Sequence, residues 1–413
     1  MALSLDHPVT TLDPYATDVA AEGHRLHQLG PLVPIELDGA VRCWATADYA
    51  VTEHIFTSPD FSKDPQHWKA FTDGQIPAGW PLLPLITMKS MLNRDGADHT
   101  RLRSLLSQAF TPKRIELLRP VIEQLATSLA QDLGRAGGQV VDLRQDFAFA
   151  LPMSVISHLF GVDEPSDRQA LAQHYGTVIS SRSTPDQMQT AQLGLGQIIG
   201  KLIQTKRTTP GDDLTSALIA AHDGEDRLNA EELAETLLLM LFAGHETSKN
   251  LITNAIRSLL EHPEQLAAAR QATDSTWIRA AVEETLRWRS PIRVVMFYYA
   301  RKDLTIEGVP VKAGDPVLLY IAATGRDHGR FGASADQFDV TRNDAARHLS
   351  FARGVHYCIG APLGRMTASI ALDTLFRHFD VSCASLGHLT PEWTYASNSV
   401  QALPATLTAL TPA

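Results

Sequence analysis

The chain carries 413 residues, of which 44% are hydrophobic and 20% charged, the proportions of a globular protein able to bury a large core. Its net charge of −10 argues against nucleic acid as a main partner, because phosphate binding needs a basic footprint. The three cysteines, Cys43, Cys358 and Cys383, lie far apart. That argues against a disulfide framework, excludes a zinc site built mainly of thiolates, and suits a reducing cytoplasm.

The N-terminal stretch MALSLDHPVTTLDPYATD has no basic segment leading into an apolar run, so no signal peptide is expected. No apolar run reaches about eighteen residues, so no membrane span is expected either. Strand-like runs come first, LVPIEL at 32–37 and VRCWAT at 41–46. Apolar residues three and four apart then predict helices over 99–110, 114–137, 229–262 and 275–288. Ser, Thr or Asn starts and glycine ends bound several of them. Between 293 and 323 the runs RVVMFYYA, LTIEG, VPVKAG and PVLLYIAA read as short strands, and LPATLTAL closes the chain as another. No repeat, low-complexity tract or long linker interrupts this order. Residues 1–413 are therefore read as a single domain, mainly α with small β-sheets at one side, and not as repeated β-α-β units.

In the 229–262 helix, Leu237, Leu238, Leu239, Met240, Leu241 and Phe242 are apolar on every face, which predicts burial all round. AGHETS follows at 243–248. It puts Gly244, costing about 1 kcal/mol in a helix interior, among polar side chains that need partners if buried. The helix either emerges to solvent here or kinks, its opened turn lining an active site.

The stretch HLSFARGVHYCIGAPLGRM, 348–366, sets Cys358 between Gly354 and Gly360. The thiol can be a nucleophile, a metal ligand or a small half-buried apolar group. The two glycines remove side chains where a loop would closely approach a metal centre. A helix starting just after the cysteine would aim amides and dipole at the sulfur and lower its pKa. Phe351 is placed to shield the sulfur from water, and no separate base and oxyanion arrangement stands out for a nucleophile.

The pattern Phe351–Gly354–His356–Cys358–Gly360 resembles the haem-binding loop of cytochromes P450. Other elements resemble that family in its order: AGHETS its oxygen-activating motif, Glu284 and Arg287 its Glu-x-x-Arg pair, FDVTR with Arg342 the segment that joins this pair, and DGADHTRLRSLLSQAF its propionate helix. Glu284 and Arg287, three apart, share a helical face, as do His99 and Arg103, four apart. The resemblance extends over residues 10–410 and looks strongest toward actinobacterial members that oxidise steroids, macrolides and similar natural products.

It implies the cytochrome P450 fold, a triangular-prism helical body with haem b between the long central helix and the helix after the cysteine loop. Cys358 is implied as the iron's thiolate ligand, with Ala243, Phe351 and Gly360 beside the haem. His99, Arg103 and His356 are implied to hold its propionates. A further propionate arginine is expected at Phe297–Tyr298, where none stands; Arg293 or Arg301 would have to compensate. Ala352, Arg353 and Pro362 also depart from the commonest loop. Thr247 would hold oxygen and an ordered water, and Glu246 would relay protons. With both retained, the expected oxidant is O2 with electrons from a separate ferredoxin, not hydrogen peroxide. Arg101, Arg353 and Arg365 either meet that acidic partner or are ordinary surface.

By family position, Leu85, Ile86, Met88, Leu92, Leu239, Ala243, Gly244, Thr247, Val294, Val295, Met296, Ser399 and Val400 line the substrate pocket. Trp68 and Trp80 either gate its entrance or pack against the body. The expected activity is hydroxylation of a mid-sized apolar natural product by a cytoplasmic monomer. The alternatives are a P450 oxidase that couples carbon to carbon or nitrogen, and a haem-binding sensor without turnover.

Overall fold

The computed structural model describes residues 3–180, 182–221, 229–271, 276–392 and 394–410. Its largest sheet has six strands in the order Thr10–Thr11, Val33–Leu37, Val41–Thr46, Pro316–Leu319, Val295–Ala300 and Phe61–Ser62. Pairing is antiparallel except between the first two strands and between Val41–Thr46 and Pro316–Leu319. The sheet is covered on both faces, because side chains alternate along a strand. Phe297, Tyr299, Cys43 and Leu318 enter one apolar cluster, while Tyr298, Ala300, Trp44, Val317 and Leu319 enter the other. That is why these strands read as continuous apolar runs.

The helical body packs around Ala230–Glu261 and Ala361–His378, which touch one another and share the largest core cluster. Asn229 caps the first: its Oδ1 accepts from the Glu232 amide at 2.8 Å while the Glu232 carboxylate accepts from the Asn229 amide at 2.9 Å. The helix is unbroken from Ala230 to Glu261, so the kink expected at AGHETS is not seen. The Thr247 hydroxyl donates to the Ala243 carbonyl one turn back, at 2.7 Å, instead of opening the turn. Burial all round over 237–242 is also too strong. Leu237, Leu239 and Leu241 are buried, but Leu238, Met240 and Phe242 only partly. The predicted 114–137 helix is two, Pro112–Leu117 and Arg119–Gly134. The last long helix before the sheet strands spans Thr276–Trp288; Ser275, read as its start, lies outside the described residues.

Glu284 and Arg287 on that helix are both fully buried and bonded bidentately, Nη2 to Oε1 at 2.6 Å and Nε to Oε2 at 2.7 Å. Arg287 spends its remaining donors on the carbonyls of Gly325, Ala335 and Gln337. The Arg342 Nε lies 3.8 Å from Glu284 Oε1 and completes the group. Here a buried charge is tolerable because every guanidinium donor finds an oxygen. The clamp ties the helix to the long loop that leads to Cys358. No helix among the described residues is long and apolar enough to cross a membrane.

Candidate active site

The loop that carries Cys358 is shaped by its backbone. Gly354 has φ +68°, and a Cβ there would meet the Phe56 carbonyl oxygen at 2.6 Å, so only glycine fits without a shift. The Cys358 amide donates to the Phe351 carbonyl at 2.9 Å, and helix Ala361–His378 starts three residues on. Burial pushes the Cys358 thiol up, against the pull of the Gly360 and Ala361 amides and the charges of Arg103 and Arg365. The lowered pKa expected from the helix start is thus outweighed by desolvation in the chain by itself. The Phe351 ring lies under the Arg365 guanidinium, 4.4 Å from it, and against His348.

Beside the loop is a cluster of donors. Helix Gly96–Ala109 presents His99, buried, and Arg103 four residues on, whose Nη2 donates to the Tyr357 carbonyl at 2.6 Å. The His99 ring lies 4.3 Å from that of His356 and its Nε2 has no partner. Burial, with the charges of His356 and Arg103, holds His99 down at about 4. His356 Nε2 lies 3.3 Å from Asp95 Oδ1. Asp95 also accepts from the Ser62 hydroxyl and the Lys63 amide and pairs with Arg301 at 3.4 Å. Burial would raise this carboxyl, but the bonds from His356, Ser62 and Lys63 hold it well below the usual carboxylate range. Sequence reasoning missed Asp95 and Lys63. Asp95 lies inside a recognised segment and Lys63 does not, and the contacts that matter, Asp95 with His356 and Lys63 with the Met296 carbonyl, cross 261 and 233 positions, so no local spacing marks them.

The arginines proposed as substitutes separate. Arg293 is fully buried, its Nε donating to the Tyr320 hydroxyl and its Nη2 pairing with Glu22, while its Nη1 has no partner. Arg301 reaches the cluster only through Asp95. Phe297 stacks on Trp80 and meets Trp68; both tryptophans are buried, which favours packing against the body over gating an entrance. Tyr298 lies in the opposite apolar cluster, with its ring toward His356.

On the central helix, Leu239, Ala243 and Thr247 recur at four-residue spacing and share a face. Ala243 and Gly244 are exposed in mid-helix, although Leu237, Leu241 and His245 nearby are fully buried. A Cβ on Gly244 would reach Ile156 at 3.4 Å. Glu246 turns to a second charge cluster. Its Oε1 accepts from Lys249 at 2.8 Å, Asn250 at 3.3 Å and Ser397 at 3.3 Å. Lys249, fully buried, also reaches Glu392 at 3.3 Å, and Glu392 pairs with Arg144. Burial would raise Glu246, but the Lys249 charge and hydrogen bond lower it; Glu392 is raised by burial and by Glu246. Glu392, Arg144 and Ser397 were not legible as site residues, because their contacts cross 143 to 248 positions of sequence; Lys249, three residues after Glu246, was simply not singled out.

The other pocket candidates are spread more widely. Ile86, Val294 and Met296 are buried in the apolar cluster with Trp68 and Trp80. Val295 packs against the opposite cluster, and Val400 is fully buried. Leu85 is exposed, Met88 and Leu92 are half-buried, and Ser399 is buried with an unpartnered hydroxyl. Arg101, Arg353 and Arg365 all have partners within the chain, namely Glu232, the Arg347 carbonyl with Glu53, and Glu283. Arg101 joins the start of the central helix rather than the cysteine loop.

A thiol at a helix start, an exposed small-residue patch on a buried helix, and a buried imidazole lacking an acceptor suit a flat, carboxylate-bearing metal cofactor. Residues 84–401 match the family model described as cytochrome P450. The chain is 39% identical over 373 residues to 2-hydroxy-5-methyl-1-naphthoate 7-hydroxylase of Streptomyces carzinostaticus, covering 89% of each chain. It is 36% identical to the P450 monooxygenase PikC of Streptomyces venezuelae, over 89% of this chain and 86% of that one. The testosterone-bound structure of CYP154C4 from Streptomyces sp. ATCC 11861 superposes with a TM-score of 0.91 at 37% identity, over 97% of this chain and 98% of the other. The chain belongs to the cytochrome P450 family. It is an oxidoreductase of the monooxygenase class, and the cofactor its family implies is haem iron.

Proposed function

We propose that this chain is a single-domain, monomeric, cytoplasmic enzyme that uses haem b, O2 and electrons from a ferredoxin to hydroxylate a mid-sized apolar natural product. The observation that carries the reading is Cys358 just before helix Ala361–His378, with His99 and its unpaired Nε2 against His356 of the same loop. The relatives' named substrates, a naphthoate among them, support the substrate class.

Bound haem iron supplies oxygen activation and C–H oxidation, helped by thiolate donation. The chain's residues do the rest. The Gly360 and Ala361 amides and the Arg103 and Arg365 charges favour the thiolate of Cys358, and metal binding offsets the burial that otherwise keeps it protonated. Arg103 and His99 orient the propionates. The Thr247 hydroxyl, its proton given to the Ala243 carbonyl, presents its oxygen as an acceptor to a water. Glu246 is held low beside it by the Lys249 charge, and Glu392, pushed up by burial and by Glu246, lies on the far side of Lys249. Ala243 and Gly244 keep the helix face clear of bulky side chains.

Two measurements test the reading. The reduced carbon monoxide complex is expected to show the red-shifted Soret band of thiolate ligation, and its absence from purified protein overturns the haem-thiolate assignment. Turnover of aromatic acids, macrolides and steroids under labelled dioxygen is expected to place one labelled oxygen in the product; oxidised product without label points to coupling instead.

A further inference from the structure

Lys63 follows strand Phe61–Ser62 and is 2% exposed. Its ammonium donates to the Met296 carbonyl at 2.6 Å and lies 5.0 Å from the centroid of the Tyr298 ring. An ammonium has three donors. Among the described residues, no carboxylate forms an ion pair with this one. Asp95 comes nearest by charge, but it receives the Lys63 backbone amide, and its oxygens are already taken by Ser62, His356 and Arg301. Burial pushes the Lys63 ammonium down to about 7, with Asp95 opposing the shift.

A buried ammonium left this way is costly unless an anion meets it. The surroundings are short of acceptors in the same sense. His356 lies 6.4 Å from Tyr298 by ring centroids, and next to it stands His99 with an unpartnered Nε2. Arg103, on the same face as His99, has only a backbone carbonyl for one of its nitrogens. Lys63, His99 and Arg103 thus form a donor-rich patch around His356, in which the carboxylate named among the described residues, Asp95, already accepts from several donors. A group bringing two further carboxylates, as haem b does, balances it. Arg293 is anchored by Glu22 and the Tyr320 hydroxyl, with its Nη1 left unpartnered.

We infer that Lys63 is a haem-propionate ligand, supplying from just after strand Phe61–Ser62 the cation that Tyr298 does not. The inference rests on the haem reading above. The competing role is structural, with the ammonium only pinning the Met296 carbonyl to the neighbouring strand.

The test uses the holoenzyme and the variants Lys63→Gln and Lys63→Arg. Glutamine can still donate to the Met296 carbonyl but carries no charge. Haem transfer to excess apomyoglobin is expected to be about tenfold faster from Lys63→Gln and within about twofold of the parent from Lys63→Arg, a tenfold change corresponding to about 1.4 kcal/mol. The ferric–ferrous midpoint potential is expected to fall in Lys63→Gln, since a nearby cation favours the reduced centre, and to hold in Lys63→Arg. Parent-like haem transfer and potential in Lys63→Gln overturn the inference. A parent that binds no haem at all overturns the haem reading instead. A crystal structure of the parent holoenzyme decides without any variant: Lys63 Nζ within about 3.2 Å of a propionate oxygen supports the inference, and Nζ on the Met296 carbonyl alone overturns it.

Discussion

Two buried pairs in this molecule have the same spacing and opposite character. Glu284 and Arg287 lie three residues apart on one helix, and Glu246 and Lys249 three apart on another. In the first pair both carboxylate oxygens are bonded and each guanidinium nitrogen has an oxygen partner. In the second, one ammonium is shared between two carboxylates, and Oε2 of both Glu246 and Glu392 is left without a partner. A saturated pair resists change, because losing one member strands the other. An unsaturated cluster can take up or release a proton with small rearrangement. The first arrangement suits a clamp and the second a proton store, although each reads in sequence as Glu-x-x-cation.

Breaking the clamp should have the largest effect. Arg287→Lys removes the fork that serves Glu284 and three carbonyls, and a loss of about 3–5 kcal/mol is expected, measured by denaturant unfolding or as failure to recover haem-loaded protein. Glu246→Gln should leave unfolding nearly unchanged while lowering product formation about a hundredfold, in the range of general acid–base contributions. Comparable loss of stability in both variants would erase the distinction between the two pairs.

Lys249→Met probes the shared cation. Without it both Glu246 and Glu392 are expected to titrate higher, so the acid limb of the turnover–pH profile should move to higher pH. A parent-like limb would remove Glu246 from the proton path.

The smallest expected effect concerns His245, next to the second cluster. Its Nε2 bonds the Phe149 carbonyl at 3.0 Å, and the rings of Phe149 and Tyr175 and the charges of Glu246, Lys249 and Arg144 face it. Burial holds it down at about 4, from an ordinary 6.5. Between these values the unfolded chain binds a proton that the folded chain does not, so stability falls as pH drops from 6.5 toward 4. His245→Gln should flatten that part of the stability–pH curve, measured by thermal unfolding across the window.

Several parts of the site were legible because their information is local. The spacing Phe351–Gly354–His356–Cys358–Gly360, the Glu284–Arg287 pair and the His99–Arg103 face depend on residues a turn or a loop apart. Several short strands were legible from their apolar runs, but PVLLYIAA is strand only over Pro316–Leu319 before helix Ile321–Thr324, and the short strands Phe61–Ser62, Val140–Asp142 and Phe379–Ser382 were not read. The unbroken central helix was not. A glycine amid polar residues suggested a kink, but Lys249, Asn250 and Ser397 supply the partners that keep those side chains in place along a regular helix.

The sequence by itself marked most of the long helices, the cysteine-loop motif and the family, since backbone preference and motif spacing act over a few residues. Tertiary structure decided which charge serves what. Arg293 went to Glu22 across 271 positions, Asp95 to His356 across 261, and Lys63 to the Met296 carbonyl across 233. Coulombic and hydrogen-bond partners are chosen by distance in the folded chain, which order along the sequence does not encode.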